Sequence, residues 1–222
     1  MNDSINKIGF WSGILAFGAT VSYCIVQLLQ LYDVLAFPAD ERLIYGTSLC
    51  IVVPFVLLIL ALHYITPENK KFWSHAAVIF TIMYAVFVSA NYVVQLATVI
   101  PNTLKGSLAE VRILQQTPHS LFWDFDALGY ICMGLATLFA IPVFEKSGYQ
   151  KWVRMAFIAN ALTTPLISIV YFYPIYTPDL LFLGFTWAIT APLFMLSLAF
   201  MFRRNQQEKA AIENHLSGRD SR

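Results

Sequence analysis

Six apolar runs, each long enough to cross a bilayer, fill most of this chain: about Ile8–Phe37, Leu43–Ile65, Phe72–Ile100, Phe122–Phe144, Trp152–Tyr173 and Leu180–Phe202. A helix rises about 1.5 Å per residue and the hydrocarbon layer is about 30 Å thick, so about 20 apolar residues suffice for a crossing. In hydrocarbon each backbone N–H and C=O must find a partner within the protein, which leaves helices or a closed barrel. Apolar residues here run continuously instead of alternating, and that excludes barrel strands. The expected fold is therefore all-α: a polytopic integral membrane protein, a six-transmembrane-helix bundle. Composition agrees, because charged residues are only 12% of the 222, about half of what a soluble domain carries. Residues 1–202 are expected to form the bundle and 203–222 a polar tail, with no separate soluble domain.

The breaks between runs carry turn chemistry, as in Thr66-Pro67-Glu68-Asn69 and Lys146-Ser147-Gly148. The first run is too long for the core of a cleavable signal peptide and reads as a retained span. With six spans, Lys7, Lys70, Lys71, Lys146, Lys151, Arg154, Arg203, Arg204, Lys209, Arg219 and Arg222 fall on one side, and only Arg42, Lys105 and Arg112 on the other. Basic residues flanking spans stay in the cytoplasm, so both termini are expected there, in the cytoplasmic membrane if the source is bacterial. Cys24, Cys50 and Cys132 all fall within spans and read as small apolar fillers.

The connection between spans three and four is the longest. Ser107-Leu108-Ala109-Glu110 has capping-box spacing, and Leu104, Leu108, Val111 and Leu114 recur at helical intervals. A short amphipathic helix over about 107–116, covering the outer surface of the bundle, is expected. Gly9-Phe10-Trp11-Ser12-Gly13 has the G-x-x-x-G spacing of close helix packing. Prolines 54, 165 and 192 lie well inside spans and each removes a backbone hydrogen bond.

Polar side chains inside the spans give the handle on activity, because in hydrocarbon they must face protein or water. Span one carries Thr20, Tyr23, Gln27 and Gln30 at alternating spacings of three and four, on one face. Span three carries Tyr84, Asn91, Gln95 and Thr98; span four Asp126, Tyr130 and Thr137; span five Asn160, Thr164, Ser168 and Tyr171; span six Thr186, Thr190 and Ser197. Span two is almost wholly aliphatic from Ile51 to Leu62 and is expected at the lipid-facing edge. Counting depth along each helix, the stripes converge on an outward-facing polar and aromatic cavity reaching about halfway down.

Asp124, at the start of span four, reads as a helix-capping carboxylate. Asp126 is deeper and shares a face with Tyr130, so these two are the candidate catalytic residues. The candidate ligand-binding set is Gln27, Gln30, Asn91, Gln95, Asn160, Thr164, Tyr171, Trp187 and Thr190. An aromatic fraction of 15% suits apolar walls with a few convergent polar groups, the usual character of a ligand site. The function these residues support best is binding, with or without chemical transformation, of a small lipid-like or isoprenoid-like molecule. Asp126 would then be general acid or base and Tyr130 or Gln95 an orienting group. A small-solute transporter or channel, and a scaffold or sensor subunit, are the alternatives. His119 with Asp33, Asp124 and Asp126 lacks compact metal-ligand spacing, so no metal site is expected. His63 and His75 are placed to face each other across the turn after span two. No cofactor is named by the sequence, membrane lipids are the expected surroundings, and no motif points to nucleic acid.

Overall fold

The computed structural model of the chain describes residues 2–220, with side chains for all of these except Asn2, Pro178 and residues 212–220. Among the described residues all regular structure is helical, and six helices are long and apolar enough to cross a membrane. They are α1 (Asn2–Leu31), α2 (Ala39–Ile65), α3 (Lys71–Val94), α4 (Leu121–Ala140), α5 (Gln150–Phe172) and α6 (Leu181–Asp220). Past Val94, α3 continues through a π turn, Gln95–Val99, into a last segment, Ile100–Leu104.

Local chemistry sets the ends. α1 begins before its apolar run because Lys7 and Asp3, one turn apart, pair at 2.7 Å and continue the helix into polar sequence. It stops at Leu31, after which Asp33 takes a φ of 53°, a left-handed geometry that Asp tolerates better than most residues. The Val34 N–H then donates back to the Leu29 carbonyl at 2.9 Å and closes the end. α4 is capped by Ser120, whose hydroxyl accepts from the Trp123 N–H at 3.2 Å. Asp124, expected as that cap, lies instead within the first turn, where the helix dipole favours an acid.

Helices adjacent in sequence are adjacent in space, and α6 returns to pack on α1, so the six close a ring in chain order. Small residues set the tight approaches. A Cβ added at Gly9 would fall 2.6 Å from the Phe202 ring, and one at Gly13 would fall 2.6 Å from Ala199 Cβ. The G-x-x-x-G spacing thus seats α6 on α1 within one chain. Likewise Gly129 of α4 takes the Val88 methyl of α3, and Gly134 lies against Thr164 of α5.

An aromatic line crosses the ring toward the end bearing the termini. Tyr84 meets Phe55 at 5.3 Å, Phe55 meets Phe194 at 5.8 Å, Phe194 meets Phe157 at 5.0 Å, and Phe157 meets Phe144 at 4.8 Å. Leu58, Met195 and Leu198 fill the space beside it and are fully buried. The outward faces instead expose Trp11, Leu15, Val53, Val86 and Leu162, an apolar surface too extensive for water but suited to lipid.

Span two is not the lipid-facing edge expected from its aliphatic sequence. In α2 44% of the apolar window is buried, against 17% in α1. Ile51, Phe55, Leu58 and Leu62 recur on one helical face and fill the centre. Next to lipid an aliphatic side chain suits either environment, so lack of polarity says nothing about which way a helix faces.

The loop after α3 also differs from expectation. Only Leu108–Val111 is α-helical, followed by a 3-10 turn at Arg112–Leu114, and the Ser107 side chain makes no cap bond. Val111 is buried while Ile113 is exposed, and the chain beyond turns down toward the bundle at Gln116. At the other end, Lys70 ties the α2–α3 turn to the α4–α5 turn, donating to the Val143 carbonyl at 3.0 Å and to Glu145 at 2.6 Å. His63 and His75 do meet there, with ring centroids 5.7 Å apart, and His63 Nδ1 lies 2.9 Å from Ser74 Oγ.

Candidate functional site

Asp126, one and a half turns into α4, is the hub of the end remote from the termini and is 5% exposed. Its Oδ1 accepts from the Tyr92 hydroxyl at 2.6 Å, and its Oδ2 from the Tyr171 hydroxyl at 2.5 Å and from Gln116 Nε2 at 3.0 Å. One carboxyl group therefore links α3, α4, α5 and the long loop. Among the described residues it has no ion-pair partner; hydroxyl and amide donors alone offset its removal from water.

Gln116 extends this network upward. Its Oε1 accepts from Asn91 Nδ2 at 2.9 Å, and its backbone N–H donates to Gln95 Oε1 at 3.2 Å. Gln95 Nε2 in turn donates to the Leu114 carbonyl at 2.8 Å. One buried side-chain amide thus grips the loop backbone on both sides of Gln115, much as a neighbouring strand would. Gln95 opens the π turn of α3, and such single-turn insertions re-aim a side chain by adding a residue to the helix.

A second string runs along α1. The Tyr130 hydroxyl donates to Tyr23 Oη at 3.1 Å, and Tyr23 donates to Gln27 Oε1 at 3.1 Å. Gln27 donates to Gln30 Oε1 at 3.2 Å, and Gln30 to Asp40 Oδ2 at 3.0 Å. Beside this string lies a cavity of about 350 Å³ between α1, α4, α5 and α6. Tyr23, Gln27, Tyr130, Tyr171 and Trp187 are among its lining residues, and Leu28, Val170, Phe185 and Ile189 form much of its apolar wall. Pro192 leaves the Ala188 carbonyl on that wall without its helical donor, and Cys24 Sγ approaches it at 3.8 Å.

A third group sits deeper. Asn160 Nδ2 donates to Thr137 Oγ1 and its Oδ1 accepts from Thr190, both at 3.2 Å, so α4, α5 and α6 are tied together. The Thr163 hydroxyl donates to the Asn160 carbonyl at 2.7 Å, one residue before the carbonyl that Pro165 frees.

The polar stripes therefore do not meet in one cavity; they divide into three groups. Of the candidate residues, Gln27, Tyr130, Tyr171 and Trp187 line the cavity. Asp126, Asn91 and Gln95 form the closed network under the loop, and Gln30 extends the α1 string to Asp40. Asn160 and Thr190 form the deep knot, while Thr164 packs against Gly134. Tyr171 joins the first two features, because it walls the cavity while its hydroxyl donates to Asp126. Chemically, one phenol connects the cavity to a buried carboxyl group.

Gln116 and Tyr92 complete the Asp126 shell and were not among the candidates. Gln116 falls at the end of the stretch read as an amphipathic surface helix, where a polar residue is expected to face water. Tyr92 follows Asn91 directly, about 100° around the helix from it, and so falls off the polar stripe. Among the described residues no cluster of His, Cys, Asp and Glu is arranged to hold a metal ion. The fold and site define a six-helix protein suited to a membrane, with a buried carboxylate network beside an aromatic cavity. No protein-family model, curated protein or solved structure matches the chain.

Proposed function

We propose that this chain is a membrane protein that binds a small lipid-like or isoprenoid-like molecule in the cavity between α1, α4, α5 and α6. The termini lie in the cytoplasm, because the basic flanking residues concentrate at their end. The observation that carries the reading is the cavity itself. Its volume of about 350 Å³ falls within the usual range of small-molecule sites. Its walls are mainly aliphatic and aromatic, with a few residues bearing hydroxyl or amide groups among them. Leu28, Leu31 and Ile189 on its rim are also exposed on the outer surface of the bundle, which supports entry sideways from the bilayer.

Asp126 is not on the cavity wall, so any part it has in chemistry runs through Tyr171. Catalysis is thus a secondary element of the proposal, with Tyr171 and Tyr130 as the groups touching the ligand and Asp126 as the positioning group. Native mass spectrometry of protein released from nanodiscs tests the binding. A retained or added lipid-like molecule is expected, and it is displaced when Ala188→Trp fills the cavity. Protein that neither retains nor takes up any such molecule refutes the reading.

Transport is the second reading, supported by another cavity of about 340 Å³ at the end bearing the termini, lined by Asn6, Gln150 and Asn205 among others. The aromatic line from Tyr84 to Phe144 and the buried Leu58 and Leu198 lie in the packed core of the bundle. Solute flux in proteoliposomes that is lost in Asp126→Asn would place transport first.

A further inference from the structure

Among the described residues at the end bearing the termini, most basic side chains are already engaged. Lys7 pairs with Asp3 at 2.7 Å, Lys70 with Glu145 at 2.6 Å and Arg204 with Glu208 at 3.8 Å. Lys71 donates to the His63 carbonyl at 2.9 Å, and the Arg203 guanidinium lies over the Phe10 ring at 5.3 Å. Three cations in one stretch differ. Lys146, Lys151 and Arg154, in the α4–α5 turn and the first turns of α5, have no ion-pair partner among the described residues. Lys151 approaches only the ring of its neighbour Trp152, at 5.9 Å. The sequence has no acid from Lys146 to Pro178, and Glu145, just before, is taken by Lys70.

Lys151 and Arg154 are three residues apart, so they leave the same side of α5 with Cβ atoms about 5–6 Å apart, and their like charges repel. Arg154 is half-buried and lies inside the span Gln150–Phe172. A charge there is costly unless it meets a counter-charge or reaches the interface. An anion from outside the chain would offset both costs. Below the cations the same face turns apolar. Met155 and Leu162 follow at four and eleven residues from Lys151, on one side of the helix, and both are exposed. Leu162 lies about 16 Å along the axis from Lys151, about the hydrocarbon depth of one leaflet. Trp152 is exposed too, an aromatic ring of the kind that sits at headgroup level.

We infer that this face of α5 holds an anionic phospholipid, its phosphate at Lys151 and Arg154 with Lys146 contributing from the turn, and an acyl chain along Met155 and Leu162. A soluble polyanion would match the charges but not the apolar stripe below them. A zwitterionic lipid carries its own ammonium and leaves the cluster uncompensated. None of these residues lines the cavity between α1, α4, α5 and α6, so the lipid site and the ligand proposed for that cavity are independent.

Native mass spectrometry of the detergent-solubilised chain tests this, with dioleoyl phosphatidylglycerol and dioleoyl phosphatidylcholine as probes of identical acyl chains. Phosphatidylglycerol is expected to bind more tightly. Lys151→Gln and Arg154→Gln should each lower that preference about fivefold, with phosphatidylcholine binding unchanged. Lys7→Gln, which removes a cation already paired with Asp3, should leave the preference as it is, and excess inorganic phosphate should not displace the lipid. Because the two lipids are compared on the unmodified chain, that comparison does not depend on a variant folding. Equal affinity for the two lipids overturns the inference, as does a preference that survives in the double variant Lys151→Gln, Arg154→Gln. An equal fall in Lys7→Gln overturns it as well, since net charge and not this face would then be responsible. Displacement by inorganic phosphate overturns the lipid as occupant and assigns the cations to a soluble anion.

Discussion

Replacing Gln116 with alanine is expected to detach the long loop from the top of the bundle without disturbing the six helices. The substitution removes the bond to Asp126 at 3.0 Å and the bond from Asn91 at 2.9 Å, but keeps the backbone N–H that donates to Gln95. Gln116 is half-buried, so water can reach part of the gap, whereas Asn91 is fully buried. A neutral bond contributes about 1 kcal/mol and one to a carboxylate somewhat more, so loop closure loses about 2 kcal/mol. That corresponds to about a thirtyfold rise in the open fraction, at 1.4 kcal/mol per tenfold. Lys105 and Arg112 are exposed on this loop, which makes limited trypsin digestion in nanodiscs a direct assay. In the regime where reclosing outpaces cleavage, the rate follows the open population. Gln115→Ala is the control, since its side chain makes no hydrogen bond while its neighbours on both sides are gripped by Gln95. Cleavage at equal rates in the two variants would refute the view that Gln116 fastens the loop.

Three further outcomes follow from the packing. Asp126→Leu strands the Tyr92 and Tyr171 hydroxyls and the Gln116 amide, for a loss of about 3 kcal/mol or more. Asp126→Asn keeps one acceptor, so thermal midpoints in detergent should rank wild type, Asn, Leu. Gly129→Ala drives a Cβ to 2.5 Å from the Val88 methyl and is expected to cost about 1–3 kcal/mol. Val88→Ala in the same chain should recover much of that, read as a coupling in a double-mutant cycle. Glu145 at the terminal end has its carboxyl held below the ordinary range by its hydrogen bond and charge pairing with Lys70. A depressed folded-state pKa stabilises the fold above the ordinary carboxylate range and is lost as pH falls through the lowered value. Wild type and Glu145→Gln should therefore differ slightly in midpoint at neutral pH and converge in acid, a convergence that thermal melts at several pH values would check.

The bundle was legible because continuous apolar runs, turn residues and the one-sided basic flanks all depend on local sequence. Asp126, Asn91 and Gln95 were legible for a related reason, being costly in hydrocarbon unless they face protein. What they bond to was not, because the partners come from elsewhere in the chain. Gln116 sits in a stretch that reads as surface, and the π turn that aims Gln95 has no mark in the residues Gln95-Leu96-Ala97-Thr98-Val99. The position of α2 failed for a different cause: burial in lipid and burial in protein select the same aliphatic residues. The division of the polar stripes into three groups was hidden as well. Helix-face spacing shows which residues share a side, but not which hydroxyl donates to which oxygen.

The contact of α6 with α1 gives the cavity a place in time as well as in space. Its walls come from α1, α4, α5 and α6, so the site has no enclosure until α6 has been made and has packed against α1. Gly9 and Gly13 stay open to lipid or to neighbouring chains until Phe202 and Ala199 arrive to cover them. A chain cut short before α6 would keep the Asp126 network whole, since α3, α4, α5 and the loop supply all of it, yet have no closed cavity. Ligand present during insertion would act on the final closure alone, selecting chains in which the two ends have found each other.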